Sequence, residues 1–406
     1  MGFAHGKDLP MKLLDGIRVL DLTNVLAGPY ASYQLSLMGA DVVKVEVPGS
    51  GDLARQLGAD TALSSQKLGA SFVAQNAGKR SMTVNLKSPT GRNVFDRLIA
   101  GADVLVENFR PGVLARLGYS WDELHAMNPR LVYCAISGFG QTGPMRERPA
   151  YDQIIQGLSG MSAVTGTPDT APLRVGFPVC DTLGGMTAAM AINGALASRA
   201  RTGEGVYLDV SMLDSSLTAL GWVVSDYLIA GRQPSANGNE NPTGAPSATF
   251  QTGSGALNIA ANKQEQFEIL CKLIGREDLI DDPRFALRDD RKNRRPELRV
   301  EIEAALAAKS AREWEPLLNE AGVPAGLVLD VTDSLDLDQI TERELVHQVD
   351  LPDRTVSVLG TGFHVNGRPL APGSAPPTLS EHTDELLTDL GFTADEITEL
   401  HTEGAV

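Results

Sequence analysis

The chain has 406 residues, more than one hydrophobic core usually serves, so two domains are expected. Hydrophobic residues make up 42% and charged residues 21%, a mix that excludes a disordered chain. With 51 acidic against 35 basic residues the formal charge is −16, which argues against nucleic acid and anionic membranes as partners but not against a small anionic ligand.

The first residues, MGFAHGKDLPMK, lack the apolar core of a signal peptide, and Met11 offers a second start because patterned sequence begins at Leu13. Gly16–Thr23 (GIRVLDLT) reads as a strand. AGPYASYQLSLMGA has helical spacing and stops at Gly39, and Asp41–Val47 (DVVKVEV) reads as the next strand. Together they have the length of a βαβ unit. The pattern repeats: a strand at Ser81–Leu86, Ser88-Pro89 as a cap and first turn, the amphipathic helix GRNVFDRLIAGA, and a strand at Asp103–Phe109. Ser120 caps a short helix before the strand Leu131–Ser137. This alternation predicts an α/β fold, a large Rossmann-like domain with a mostly parallel sheet.

Residues 181–200 predict a helix of Ala, Gly and Met, whose small residues imply close backbone packing around Gly184 and Gly185. A strand at Gly205–Ser211 and an apolar helix at Leu213–Ala230 follow. The Gly, Pro and Asn-rich stretch 231–247 marks a boundary. Beyond it lie strands within 248–262, then helices near Gln264–Ile274 and Glu297–Lys309, then one opened by the capping box Ser310-x-x-Glu313. These predict a smaller α+β domain. Residues 346–366 return to β character, and the chain ends in two helices, the second opened by Thr393-x-x-Glu396.

Common signatures are missing. Gly78-Lys79 has Val73 where a phosphate loop needs glycine and Arg80 where it needs Ser or Thr. No GxGxxG follows the first strand, there is no GxSxG elbow, and the six histidines show no HExxH spacing, so no metal site is expected. Cys134, Cys180 and Cys271 are far apart and odd in number, which fits a reduced, cytoplasmic setting. No run of about 18 apolar residues predicts a membrane span.

Six blocks carry a resemblance. They are residues 14–52 (LDGIRVLDLTNVLAGPYASYQLSLMGADVVKVEVPGSGD), 76–91 (NAGKRSMTVNLKSPTG), 102–118 (ADVLVENFRPGVLARLG), 128–144 (NPRLVYCAISGFGQTGP), 202–214 (TGEGVYLDVSMLD) and 380–392 (SEHTDELLTDLGF). In this order they resemble family III CoA transferases, the group containing formyl-CoA transferase and the carnitine-pathway CoA transferase. The resemblance implies a large CoA-binding α/β domain over 1–205, a linker over 206–230, a small α+β domain over 231–330, and a return segment, 331–406, that completes the large domain. It also implies an interlocked homodimer.

The family's nucleophilic aspartate falls on Asp181, in FPVCDTLGGMTAAMA, about thirty positions after Tyr151-Asp152. Local sequence alone reads Asp181 as a helix N-cap. The family role is covalent: a carboxylate that attacks an acyl-CoA forms an anhydride, which thiolate reopens. A helix N-terminus would favour its charged form, and the Gly184 or Gly185 N–H would stabilise an oxyanion. For CoA binding the resemblance implies Val25, Ala27, Lys87, Asn108, Phe109, Arg110, Arg116 and Tyr151, with Lys87, Arg110 and Arg116 serving its phosphates. Val47 stands where formyl-CoA transferase has an adenine-stacking arginine, so the adenine contact differs. The loop Ala236–Ala245 has no glycine run and reads equally as a mobile lid and as an interdomain connection.

The expected function is CoA transfer from an acyl-CoA to a free carboxylic acid, a dicarboxylate such as succinate if Arg148 and Arg174 bind a second carboxylate. Two alternatives are an α-methylacyl-CoA racemase and a non-catalytic CoA-binding protein. Family racemases pair the aspartate with a histidine from Gly-His-Asp; here the segment is Ala150-Tyr151-Asp152, and tyrosine, with a reference pKa of about 10, is a poor proton shuttle at neutral pH. CoA and acyl-CoA are substrates; no other cofactor is called for.

Overall fold

A computed structural model describes residues 12–406; the reading of the amino terminus, with Met1 and Met11 as starts, lies outside them. The described chain divides into two units. The first comprises the residues up to Met161, Val175–Gly231 and Gln339–Val406; the second comprises Ser162–Arg174 and Arg232–Asp338.

The first unit is built on six parallel strands: β1 (Arg18–Asp21), β2 (Asp41–Glu46), β3 (Arg80–Thr83), β4 (Val104–Glu107), β5 (Val132–Ser137) and β6 (Tyr207–Ser211). They lie in the order β3-β2-β1-β4-β5-β6, and Leu20 of β1 stands opposite both Val43 and Leu105. Because side chains alternate across a strand, Val19 and Leu20 enter different cores. Leu20, Val43, Met82 and Leu105 pack on one face with Phe95, Leu98, Leu386, Leu387 and Leu400. Val19, Val42, Val104 and Val132 pack on the other with Ala31, Leu35, Ile192 and Leu196. A parallel sheet covered on both faces explains strands that read as near-continuous Val and Leu.

Helix α1 (Ala27–Leu37) follows β1 and α2 (Pro89–Ala100) follows β3. The Ser88 hydroxyl accepts the Gly91 N–H, and Pro89 fills the first turn of α2, as the sequence predicts. Further on come α3 (Asp152–Leu158), α4 (Val179–Thr202), α5 (Met212–Ala219) and α6 (Gly221–Ala230). Residues 206–230, expected as a linker, are built into this unit, since β6 pairs with β5 and Met212 is buried in the core with α4. After the second unit the chain returns as an antiparallel hairpin, Val346–Asp350 with Thr355–Leu359, and two helices, Thr383–Asp389 and Ala394–Thr402.

The second unit has a three-stranded antiparallel sheet, Ser247–Gln251, Ala256–Ala260 and Ala325–Leu327, over a core that includes Phe250, Leu257, Phe267, Ile302 and Trp314. Ser310 and Glu313 form the predicted capping box. The loop 236–245 is tethered here: Arg299 pairs with Glu240, Arg295 donates to the Asn241 and Pro242 carbonyls at 3.0 Å, and Arg291 donates to the Ala245 carbonyl at 3.1 Å. Such tethering favours the connection over the lid.

Candidate functional site

In an open parallel sheet, ligands bind beyond the carboxyl ends of the strands where the winding reverses. Here that point lies between β1 and β4. The loop 22–26 leaves β1 there, and Asn108 follows β4. Asn108 clamps the loop as a second backbone would: its Oδ1 accepts the Asn24 N–H and its Nδ2 donates to the Asn24 carbonyl, both at 2.8 Å. The next residue, Val25, has φ +68°, a left-handed conformation that a β-branched residue adopts only under constraint. Its N–H donates to Asp52 Oδ1 at 3.0 Å. The turn into α1 is tight: a Cβ on Gly28 would lie 2.3 Å from the Thr23 side chain.

Buried charges underlie this loop. Lys44, in β2, donates to the Thr23 carbonyl at 2.8 Å and pairs with Asp52 at 2.9 Å. Asp21, at the end of β1, accepts from Ser32 at 2.6 Å and Lys79 at 3.0 Å. Burial pushes the Asp21 carboxyl up, but Lys44, Lys79 and two hydroxyl donors outweigh it and hold the group well below the usual carboxylate range. Beside them Arg55 grips Glu46 with two 2.7 Å bonds and lies 3.8 Å over the Phe72 ring.

Helix α4 carries Asp181. Its N-cap is Pro178, so Asp181 is the third helical residue rather than the cap. Asp152, at the start of α3, takes part of the capping role: Oδ1 accepts the Cys180 N–H at 2.8 Å and Oδ2 accepts from Gln156 Nε2 at 2.7 Å. Gln156 also accepts the Val175 N–H at 2.8 Å and donates to the Phe177 carbonyl at 3.2 Å, so one buried amide fixes the chain from Val175 to Phe177. The expectation that the helix terminus favours ionised Asp181 is overturned. Burial first, and the Asp152 charge second, raise its carboxyl from 3.8 to about 7. Gly184 and Gly185 are corrected too. They lie beyond the first turn, so their N–H groups belong to the helix ladder. Their smallness serves packing: a Cβ on Gly185 would lie 2.5 Å from the Ala27 carbonyl oxygen, and one on Gly184 3.0 Å from Met212.

The structure thus brings Val25, Ala27 and Asn108 together at the start of α1, and Ala27 rests on the helix of Asp181. Tyr151, 73% exposed, immediately precedes Asp152. Phe109 is packed against the core, its N–H donating to Glu107 at 2.6 Å. Glu107 is buried, and burial raises its carboxyl to about 7 against the pull of Phe109 and Tyr133. Lys87, Arg110, Arg116 and Arg148 are exposed, and Arg174 belongs to the second unit. Among the described residues no hydrogen bond or ion pair joins Lys87, Arg110 or Arg116 to Val25, Ala27 or Asn108. Arg116 instead lines a cavity of about 280 Å³ with Glu107, Trp121, Tyr133 and Tyr207. Val47 is 61% exposed and offers no cation for a ring. Among the described residues no cluster of His, Cys, Asp and Glu could hold a metal ion, and no helix is long and apolar enough to cross a membrane.

Sequence reading missed Asp52, Lys44, Asp152 and Gln156. A lysine and a glutamate inside the apolar strand DVVKVE were the available signal, because a charge within a doubly covered strand must be paired.

Strand order and switch-point loops define a doubly wound α/β protein. Residues 14–383 match the model of CoA-transferase family III, and the chain belongs to that family and is a CoA transferase. It is similar to an acetyl-CoA:oxalate CoA-transferase of Acetobacter aceti, at 40% identity over 86% of this chain and 90% of the relative. A succinate–glutarate CoA-transferase of Agrobacterium fabrum is 36% identical over 93% and 95% of the two chains. Among solved structures, a CAIB/BAIF family protein from Brucella suis aligns with a TM-score of 0.82 at 35% identity, covering 93% of this chain and 98% of that one.

Proposed function

We propose that this enzyme moves CoA from an acyl-CoA to a free dicarboxylic acid, with Asp181 as the covalent nucleophile. The observation that carries the reading is the placement of Asp181: partly buried, in the first turn of α4, on the helix that supports Ala27 of the switch-point loop. A carboxyl raised to about 7 is a stronger nucleophile once ionised than an ordinary aspartate, and burial removes the water that competes for its acyl intermediates.

The steps balance without any added reagent. An Asp181 carboxylate oxygen attacks the donor thioester carbon, the C–S bond breaks, and CoA thiolate leaves a mixed anhydride. The thiolate attacks the Asp181 carbonyl carbon, releasing the donor acid and leaving an aspartyl–CoA thioester. The acceptor carboxylate attacks that thioester and displaces the thiolate, which then attacks the acceptor carbonyl and frees Asp181. Val25, Ala27 and Asn108 would hold CoA at the switch point. Lys87, Phe109, Arg110 and Arg116 would serve its nucleotide end, and Tyr151 would flank the thioester.

Dicarboxylate acceptors are supported by relatives named for oxalate, succinate and glutarate, with the exposed Arg148 available for the second carboxylate. A homodimer is supported by α6, which has no buried residue, with Trp222 81% and Ile229 86% exposed. Apolar surface of this kind on one helix calls for a partner.

The test is intact-mass spectrometry after incubation with succinyl-CoA or acetyl-CoA, with hydroxylamine as trap. A hydroxamate at Asp181, absent in Asp181→Ala, is expected. Exchange of the α-proton of a 2-methylacyl-CoA without any adduct would refute the transferase mechanism.

A further inference from the structure

We propose that Asp52 is the positioning residue that holds the CoA-binding loop in its strained, binding-competent conformation; this role rests on the transferase reading above. Asp52 lies outside the loop and was not among the residues expected to contact CoA. Its Oδ1 accepts two backbone N–H bonds, from Val25 at 3.0 Å and from Ala54 at 2.8 Å. The first pins the only loop residue with positive φ; the second anchors Asp52 on its own turn. Oδ2 pairs with Lys44 at 2.9 Å, and the Asp52 N–H donates to Glu46 at 2.9 Å. Asp52 and Lys44 are both essentially without solvent exposure, so neither can swing away to water. Asn108 fixes the residue before Val25 with its own pair of hydrogen bonds.

The physics gives Asp52 a specific task. A valine in the left-handed region is less stable than in the extended region by about 1–2 kcal/mol. Without the Asp52 acceptor the Val25 peptide relaxes, and the competent loop becomes the minor state. Apparent affinity falls by the fraction that remains competent. Asp52 acts through Val25 and touches no substrate.

Binding of free CoA to the purified full-length protein, measured by calorimetry, tests the role. Asp52→Ala is expected to raise the Kd roughly 5- to 30-fold, the factor that 1–2 kcal/mol implies. Two readouts separate positioning from a merely structural role. Asp52→Asn keeps an acceptor for the Val25 N–H and is expected to bind CoA within about threefold of wild type, although Lys44 loses its counter-charge. In a Val25→Gly background, where the left-handed region carries no Cβ penalty, Asp52→Ala is expected to cost only about twofold. If Asp52→Ala does not fold, the Asp52→Ala/Lys44→Met pair, which strands no buried cation, takes its place in the same cycle and is compared with Lys44→Met alone, since Lys44 also holds the Thr23 carbonyl. An unchanged Kd in a folded Asp52→Ala protein, an asparagine variant as weak as the alanine one, or an equal loss in both backgrounds overturns the role. A wild-type protein that binds no CoA overturns the transferase reading and this role together.

Discussion

Replacing Asp152 with asparagine removes the one charged group that raises Asp181 while keeping its shape and its acceptor for the Cys180 N–H. Together burial and Asp152 lift the Asp181 carboxyl from 3.8 to about 7, and burial is the larger cause. Removing the charge therefore removes less than half of the rise, and the Asp181 carboxyl moves part of the way back towards the ordinary carboxylate range. The direction is fixed: a like charge disfavours ionisation, so its loss makes the nucleophile available at lower pH. At pH 6, where roughly one-tenth of the wild-type carboxyl is ionised, the carboxylate fraction should rise. The assay is kcat/KM for CoA exchange between succinyl-CoA and glutarate from pH 5 to 9, whose acid limb reports the free enzyme's group. Wild type is expected to lose rate below about pH 7, and Asp152→Asn to shift that limb downward by less than half of the rise. Plateau activity at pH 8 should fall, because a less basic carboxylate is a weaker nucleophile. An acid limb that stays in place in a folded Asp152→Asn enzyme refutes the electrostatic reasoning, and a wild-type limb near pH 4 refutes the raised carboxyl itself.

Gly185→Ala forces a methyl to within 2.5 Å of the Ala27 carbonyl oxygen, so α1 must retreat from α4; a stability loss of about 1–3 kcal/mol by thermal unfolding and a higher KM for acyl-CoA are expected. Wild type is expected to run as a dimer in light scattering, and Ile229→Asp, on a helix with no buried residue, to dissociate or aggregate; a monodisperse wild-type monomer removes the dimer proposal. In an acceptor panel, oxalate, succinate and glutarate should react and acetate and butyrate should not, with Arg148→Ala narrowing that difference; activity on monocarboxylates alone removes the dicarboxylate reading.

The sheet was legible because its cores are. Val19 and Leu20 point to opposite faces, and both faces are covered, so the strands read as apolar runs punctuated by capped helices such as the one after Ser88. Val25 and Asn108 were reached through resemblance, and the structure supplies what resemblance leaves out: a left-handed φ and a paired amide. Asp181 was named, but its ionisation was misjudged. A helix terminus is visible in sequence, whereas burial and the approach of Asp152 from 29 positions away are properties of packing. The linker over 206–230 comes from the resemblance alone: the strand that the residues themselves predict at Gly205–Ser211 is present as β6, and its pairing with β5 is a long-range contact that local sequence does not carry.

The six buried charges beneath the switch-point loop need a reason beyond stability, since a buried ion pair is often no more stable than apolar residues of the same size. Asp21, Lys44, Glu46, Asp52, Arg55 and Lys79 all lie at 6% exposure or less. Most of them bind backbone groups of residues that must be placed: Lys44 the Thr23 carbonyl, Asp52 the Val25 N–H, Glu46 the Asp52 N–H, Lys79 the Pro29 carbonyl. If their task is to set loop geometry, removing one partner and removing both should have opposite signatures in stability and in binding. Arg55→Met strands Glu46 and should cost about 3–5 kcal/mol, lowering Tm by roughly 5–10 °C. Adding Glu46→Gln removes the stranded charge and keeps an acceptor for the Asp52 N–H, so most of the stability should return. CoA affinity should track the Asp52 hydrogen bond and stay within about threefold of wild type in the double variant. A further substitution, Glu46→Leu with Arg55→Met, should be more stable than Arg55→Met alone, because no charge is stranded, but bind CoA more weakly, because the Asp52 N–H then has no acceptor. Should Tm and affinity fall in step across all three proteins, the charges serve stability alone and their link to the loop is wrong.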